Sequence, residues 1–91
     1  MRTIERTTAF KRDFKREKRG PHRNLDAELA ALVQLLAQDA ALPAHHHDHA
    51  LSGNWSRYRD CHLKPDLVLV YRKPEGKLQL IRLGSHSELF G

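Results

Sequence analysis

The pattern of apolar and polar positions in the first third of the chain predicts a short strand followed by a basic helix. Residues 3–8 form a short segment of residues with high β-propensity, which favours an opening strand. Phe10 and Phe14 then stand four residues apart, and lysine and arginine occupy most of the positions around them. This pattern is typical of a helix with a narrow apolar edge and a broad basic face. Gly20 and Pro21 are expected to end the helix.

A second helix is predicted from Asn24 to about Ala40. Asn24 is a favoured N-cap residue, and two acids follow in the first turn, where the helix dipole favours negative charge. Apolar residues then recur at spacings of three and four, which indicates an amphipathic helix with one face on a core. They are Leu25, Leu29, Leu32, Val33 and Leu36.

Three strands are predicted in the last third, because three short segments rich in aromatic or branched residues are bounded by turn residues. The segments are residues 55–62, 67–71 and 78–83. A tight hairpin is expected at 74–76, and 63–66 offers a turn between the first two strands. The element order β-α-α-β-β-β describes an α+β fold, with a helical hairpin packed on one face of a mostly antiparallel sheet.

The composition limits the chain to one small domain, residues 1–91, with a single modest core. No apolar run approaches the ~20 residues that a membrane span requires, and no basic start leads into a hydrophobic signal segment. We therefore expect no membrane partner and a cytoplasmic location. Cys61 is the single cysteine, which excludes an internal disulfide framework and a cysteine-rich zinc site. No metal or other cofactor is expected.

The net charge of +5 is distributed unevenly along the chain. Residues 1–23 carry a net charge of +6, residues 24–56 one of −4 and residues 57–91 one of +3. Basic clusters at both ends of a chain with a pI near 9.8 favour a polyanionic partner, of which RNA and DNA are the most common. The alternative is a solvated surface whose charge only maintains solubility.

The strand topology is expected to bring several polar residues to one end of the sheet. In an up-down-up meander, three strand ends lie at the same end of the sheet. They are the end of the 55–62 strand at His62, the start of the 67–71 strand near Asp66, and the segment 84–86 after the third strand. Neighbouring strands are ~4.8 Å apart, so side chains from these positions could converge on one small substrate group. The topology leaves His49 unplaced unless its loop folds back.

Histidines and a carboxylate without cysteine fit acid–base chemistry better than a structural metal site, because imidazole titrates near neutrality. Beside a basic surface the natural reaction is RNA cleavage. A base takes the proton of the 2′-hydroxyl, which attacks the adjacent phosphorus, and an acid protonates the departing 5′-oxygen. Arg82, shortly before His86, is a candidate for stabilising the charge on the phosphate oxygens. DNA lacks the 2′-hydroxyl and would not be cut.

The second half of the chain contains two motifs, Asp48-His49-x-Leu51-x-Gly53-x-Trp55-x-x-Tyr58-Arg59-Asp60-x-His62-x-x-Pro65-Asp66-x-x-Leu69-x-Tyr71 and Arg82-x-Gly84-x-His86-x-x-Leu89-Phe90-Gly91. In residue type and spacing they closely resemble the YafQ branch of the RelE/ParE toxin superfamily. The predicted element order is also similar to the fold of that superfamily. The resemblance covers essentially the whole chain, although the first half matches mainly in element order, length and charge.

The resemblance implies a toxin of a type II toxin–antitoxin system. Members of this branch bind the ribosomal A site and cut the mRNA there, and a cognate antitoxin inhibits them by direct binding. The implied partners are therefore an antitoxin, the 70S ribosome with its RNA, and mRNA. The implied activity is that of a ribosome-dependent endoribonuclease without a small-molecule cofactor.

Active-site roles are implied, residue by residue, for His49, His62, Asp66, His86 and Phe90. His49 is the expected general base and His86 the expected general acid. His62 and Asp66 would orient the reacting groups or stabilise charge, and Phe90 would stack on an mRNA base. The residues by themselves leave simpler roles open, because His62 could be a polar strand end, Asp66 a turn former and Phe90 a core residue.

The basic helix is expected to contact ribosomal RNA phosphates without recognising the base sequence. An acidic antitoxin could contact the same surface. The basic residues of this helix are Lys11, Arg12, Lys15, Arg16, Lys18 and Arg19.

Two other functions compete with RNA cleavage. A ParE-like inhibitor of DNA gyrase could use the same fold without ribonuclease chemistry. A histidine metal-binding module would depend on the segment His45-His46-His47-Asp48-His49. Adjacent loop histidines cannot all face one ion, and the resemblance requires only Asp48 and His49 of this segment. His45, His46 and His47 are therefore expected to be ordinary loop residues.

Overall fold

A five-stranded sheet with two long helices against one of its faces makes up the protein, and the computed structural model describes all of residues 1–91. The strands are β1 Thr3–Arg6, β2 His49–Ala50, β3 Arg59–Lys64, β4 Leu67–Arg72 and β5 Lys77–Gly84. The helices are α1 Thr8–Lys18, α2 Leu25–Ala37 and α3 His86–Phe90, and short 3₁₀ helices cover Ala44–His46 and Gly53–Trp55. The strand order is β1-β5-β4-β3-β2, with β1 parallel to β5 and the other pairs antiparallel. The predicted α+β class and its helical hairpin on a mostly antiparallel sheet are confirmed.

The main core lies between the two long helices and one face of the sheet. Leu32 of α2 packs there with Leu69 of β4 and other apolar residues. On the opposite face, Val68 and Val70 of β4 pack with Leu89 of α3 in a smaller cluster. Because β4 is covered on both faces, its sequence is a continuous apolar run rather than an alternating one. The smaller cluster supports the candidate active site.

A β-bulge changes the direction of side chains near the end of β5. β4 and β5 shift register at Ile81, which has no paired residue on β4. As a result Leu80 and Leu83 both join the core beneath the helices, and the side chain of Arg82 extends to α1. Bulges of this kind are common next to active sites because they redirect single side chains.

The two long helices begin in different ways. The Thr7 hydroxyl accepts a hydrogen bond from the N–H of Phe10 at 2.9 Å and donates one to the carbonyl of Ile81 at 2.8 Å, which caps α1 and ties it to β5. Asn24 precedes α2 as predicted, but its side chain makes no capping bond. Its backbone is left-handed, with φ of 55°, a conformation that asparagine tolerates better than most residues.

Several predicted boundaries are wrong. The strand expected over residues 55–62 begins only at Arg59, because Gly53 has a positive φ of 64° and opens a 3₁₀ turn. α2 ends before Ala40, since Asp39 is left-handed with φ of 56°. The apolar pattern predicted neither β2 nor α3. None of the helices has the length and apolar character that a membrane span requires.

Candidate active site

A row of imidazole and aromatic rings lies on the sheet face opposite the two long helices. The ring centroids of His47 and His62 are 5.4 Å apart, those of His62 and His86 5.3 Å, and those of His86 and Phe90 5.7 Å. Trp55 ends the row, 5.4 Å from Phe90. A single phosphate lying on this row could contact two imidazoles at once.

His62 and His86 meet because of where β3 and β5 end. His62 lies near the end of β3, and His86 is the first residue of α3, just after β5. A capping box fixes α3, since the N–H of Glu88 bonds to the Ser85 hydroxyl at 3.1 Å and the N–H of Ser85 to the Glu88 carboxylate at 2.8 Å. These contacts with Ser85 lower the pKa of Glu88. The strand topology thus brings the two histidines together, as the sequence predicted.

Gly84 allows α3 to fold closely onto the sheet. A Cβ atom at this position would lie 3.0 Å from Nη2 of Arg16 and 3.2 Å from Cδ2 of Leu89. A side chain there would therefore crowd the ends of the Arg16, Glu88 and Leu89 side chains.

His49 lies on the same sheet face, because its segment folds back as the edge strand β2. β2 pairs antiparallel with β3, with His49 opposite Asp60. Asp60 and His62 are two residues apart on β3, so they share a face and are separated by about 7 Å along the strand. The Nε2 atom of His49 is 3.2 Å from Oδ1 of Asp60, and its Nδ1 atom is 2.7 Å from the carbonyl oxygen of His47. Just over half of the His49 side chain is exposed (52%), so it is accessible to substrate.

Asp48 anchors the segment that carries His49. Its carboxylate accepts a hydrogen bond from the Tyr71 hydroxyl and lies 3.4 Å from Arg59. Burial, together with this carboxylate, raises the pKa of Tyr71, so the phenol stays protonated as a donor. Hydrogen bonds to the Tyr71 oxygen and to Asp48 raise the pKa of Arg59. These three side chains fix His49 to the rigid centre of the sheet.

Asp66 and Phe90 differ in how firmly the fold holds them. Asp66 is exposed in the turn between β3 and β4. Its carboxylate accepts no hydrogen bond and forms no ion pair. Phe90 is partly buried, packs on the smaller core cluster and contacts both Trp55 and His86. It therefore supports α3 while one part of its ring remains beside the imidazoles.

Arg82 is held by Asp13 of α1 and not by the imidazole row. Its Nε and Nη2 atoms donate to the Asp13 carboxylate at 2.6 and 3.2 Å, which leaves Nη1 without a hydrogen bond. Asp13 is only 3% exposed, and it also accepts from the Leu83 N–H at 3.0 Å. Burial alone would raise the pKa of Asp13, but the bonds from Arg82 and Leu83 outweigh it and lower that pKa. The predicted site residues do not include Asp13. Its position three residues after Phe10 places it on the same helical face, which would have indicated that it is buried.

The six basic residues predicted for the first helix, of which Arg19 is the C-cap of α1, differ in how many contacts they already make. Arg16 bonds to Asp13 at 3.0 Å, to Glu17 at 2.8 Å and to the Leu83 carbonyl at 3.0 Å. Lys18 pairs with Asp26 at 2.8 Å. The other four are exposed and make no salt bridge: Lys11, Arg12, Lys15 and Arg19. Only these four are available to a polyanion without breaking an existing contact.

The remaining loop histidines pack beside the row. Nδ1 of His46 lies 2.7 Å from the carbonyl oxygen of His62, and the His45 ring lies 4.2 Å from that of His46. No group of three or more His, Cys, Asp or Glu side chains is arranged to hold a metal ion. The loop therefore supports the backbone of His62.

Comparisons with known proteins identify relatives that are similar in sequence and in fold. The profile of a family described as a bacterial toxin of type II toxin-antitoxin system, YafQ, matches residues 2–91. The mRNA interferase toxin YafQ of Escherichia coli K12 is 33% identical over 91 residues, which is 100% of this chain and 98% of that protein. In the crystal structure of the E. coli DinJ-YafQ complex, a chain with 36% identity superimposes with a TM-score of 0.87 and full coverage of both chains. A metal-bound toxin from Helicobacter pylori is 42% identical, with a TM-score of 0.90, covering 99% of this chain and 100% of that one.

Proposed function

The chain belongs to the YafQ family of bacterial toxins of type II toxin–antitoxin systems, and from that premise we propose that it is a ribosome-dependent endoribonuclease that cleaves mRNA by histidine acid–base catalysis. The contact between His62 and His86, on a face that also presents His49, is the observation that best supports the proposal. Two imidazoles in contact can serve one reaction as proton acceptor and proton donor. The E. coli relative is named as an mRNA interferase toxin.

In the proposed reaction one imidazole takes the proton of the 2′-hydroxyl and His86 gives a proton to the departing 5′-oxygen. The 2′-oxygen attacks the adjacent phosphorus, so a 2′,3′-cyclic phosphate and a free 5′-hydroxyl are formed. Asp66 would orient a reacting group from its turn, and Phe90 would stack on an mRNA base. Arg82 would reach the phosphate through Nη1, the one terminal nitrogen that Asp13 leaves unbonded.

The proposed partners are mRNA, the ribosome and a cognate antitoxin. The E. coli relative forms a complex with DinJ, which supports a protein inhibitor for this toxin as well. A net charge of +5, concentrated in residues 1–23, suits an acidic inhibitor as well as ribosomal RNA. The exposed cations of α1 are the groups that would contact phosphates of the ribosome.

Ribosome dependence can be tested with one mRNA in three forms: bound to translating ribosomes, free in solution, and ribosome-bound with a 2′-deoxynucleotide at the cleaved position. We expect cleavage of the first form only, because the ribosome must supply the bound geometry and the 2′-hydroxyl is the nucleophile. Cleavage of the deoxy form would contradict the mechanism. Inhibition of gyrase supercoiling without any mRNA cleavage would favour the ParE-like alternative.

Neutralising the free cations of α1 should weaken ribosome binding without altering the chemical step. We expect the Lys11→Gln/Lys15→Gln variant to bind ribosomes more weakly. A plot of the logarithm of the ribosome-binding constant against the logarithm of the salt concentration should become less steep, by about 1 for each phosphate that the variant no longer neutralises. The matched control is Lys73→Gln/Lys77→Gln, which removes the same charge from cations already paired with Asp39 and Glu5. Equal losses in both variants would show that only the net charge matters.

A further inference from the structure

Asp60 of β3 is a buried carboxylate without a hydrogen bond. The residue is 1% exposed, and neither of its carboxylate oxygens accepts a bond. The cation beside it in sequence, Arg59, bonds instead to Tyr71 and Asp48. A buried carboxylate without a compensating cation is strongly unfavourable, so the fold must provide a partner elsewhere.

The imidazole of His49 is the single cationic group within ion-pair distance of Asp60, with Nε2 3.2 Å from Oδ1. The two groups form no hydrogen bond, and their contact is an ion pair only when the imidazole is protonated. The other ring nitrogen, Nδ1, faces the His47 carbonyl at 2.7 Å. Carbonyl and carboxylate oxygens only accept, so both nitrogens of His49 face acceptors and both should carry hydrogen.

We propose that Asp60 is a positioning residue that holds His49 as the doubly protonated imidazolium, an inference that extends the proposed function to the role of each histidine. An imidazolium has no lone pair to accept the 2′-hydroxyl proton. His49 therefore supplies positive charge to the phosphate, and the role of general base passes to another histidine.

His62 is the histidine whose surroundings suit the base. Its Nδ1 atom lies 3.3 Å from the Pro65 carbonyl oxygen, which favours the tautomer with hydrogen on Nδ1 and a lone pair on Nε2. Nε2 of His62 takes the 2′-hydroxyl proton as the 2′-oxygen bonds to phosphorus. The bond from phosphorus to the 5′-oxygen breaks, and that oxygen receives a proton from His86. His49 keeps both of its protons throughout.

The protonation of His49 can be measured directly in the free toxin labelled with ¹⁵N at histidine. Imidazole ¹H–¹⁵N correlation spectra recorded at neutral pH should show both His49 nitrogens protonated. In Asp60→Asn, an isosteric change, the amide can donate to Nε2, so His49 should become neutral at that pH. A parent His49 with one bare nitrogen, or an unchanged His49 in Asp60→Asn, would overturn the proposal.

Asp66→Asn is the matched control for these spectra. It removes an exposed carboxylate of the same charge from the turn that follows β3, and no contact connects it to His49. The imidazole resonances of His49 should therefore stay in place in this variant. A shift to the neutral ring in both variants would indicate a general effect of charge and would contradict a specific role for Asp60.

Cleavage of ribosome-bound mRNA provides the second test. Asp60→Asn should lower the single-turnover rate by about 10- to 100-fold with ribosome affinity unchanged. Because Asp60 acts through His49, adding Asp60→Asn to His49→Gln should cost no further activity, whereas additive losses would overturn the proposal. If the parent toxin fails to cleave ribosome-bound mRNA, the proposed function is wrong, and the spectra still decide the protonation of His49.

Discussion

A toxin with His86 replaced by glutamine should cleave ribosome-bound mRNA about 10²- to 10⁴-fold more slowly than the parent, the usual contribution of a general acid or base. Glutamine has a similar length and can hydrogen-bond, but it cannot transfer a proton to the 5′-oxygen. The His86 side chain is exposed, and its ring lies beside the rings of His62 and Phe90. The fold does not depend on it, so ribosome binding should persist while the chemical step fails.

His22→Gln is the control for the loss expected in His86→Gln. His22 follows α1, lies 3.2 Å from Glu17 and takes no part in the ring pairs of the imidazole row, so its replacement should leave the cleavage rate at the parental value. Both variants should unfold at the parental midpoint. A His86→Gln toxin that arrests growth and cuts ribosome-bound mRNA like the parent would refute the acid–base mechanism.

The sequence predicted the parts of the site that depend on local pattern and strand order. β4 was recognisable because an apolar run bounded by turn residues fits a strand buried on both faces. Once β3, β4 and β5 were ordered as a meander, the approach of His62 and His86 followed from the direction of the strands. The capping box formed by Ser85 and Glu88 was also present in the sequence as Ser-x-x-Glu, and could have predicted α3.

The position of His49 could not be predicted, because it depends on contacts distant in sequence. Asp48 is held by Tyr71, 23 residues later, and this contact helps to hold the segment in place as the edge strand β2. The charge pattern was similarly incomplete, since it counted Arg16 and Lys18 as free cations although carboxylates already bind them. Burial and pairing decide which charges remain available, and a single sequence does not contain that information.

Replacement of Asp13 by alanine should lower the free energy of unfolding by about 3 to 5 kcal/mol, as expected when one partner of a buried ion pair is removed. Asp13 is buried and accepts hydrogen bonds from Arg82, Arg16 and the Leu83 N–H. Without it, the Arg82 guanidinium and the Leu83 N–H lose their acceptor where α1 meets β5, and Arg16 loses one of its three. Chemical denaturation should show the loss of stability, and Asp39→Asn, which removes an exposed ion pair, should show a much smaller one.

The same carboxylate should make stability depend on pH. The pKa of Asp13 is lowered in the folded protein, so its contribution is complete above the unfolded value of about 3.9 and is lost as the pH falls through the lower folded value. Asp39, with a pKa of about 2, and Glu5 and Glu88, with lowered pKa values, should weaken the parent over the same acid range. The difference between the parent and Asp13→Asn therefore isolates Asp13, and it should shrink as the solution becomes more acidic. A difference independent of pH would contradict the ionised pair.

A double-mutant cycle shows whether Asp13 also serves the active site through Arg82. Arg82→Ala leaves the Asp13 carboxylate buried with Arg16 as its remaining cation, so the double variant should be more stable than the sum of the single losses predicts, by about 1 to 3 kcal/mol. The cleavage rate provides the second reading of the cycle. If Asp13 positions the guanidinium that stabilises the phosphate, Asp13→Ala should slow cleavage in the parent and have little further effect in Arg82→Ala. If Arg82 only fastens α1 to β5, the cycle should show coupling in stability and none in the cleavage rate.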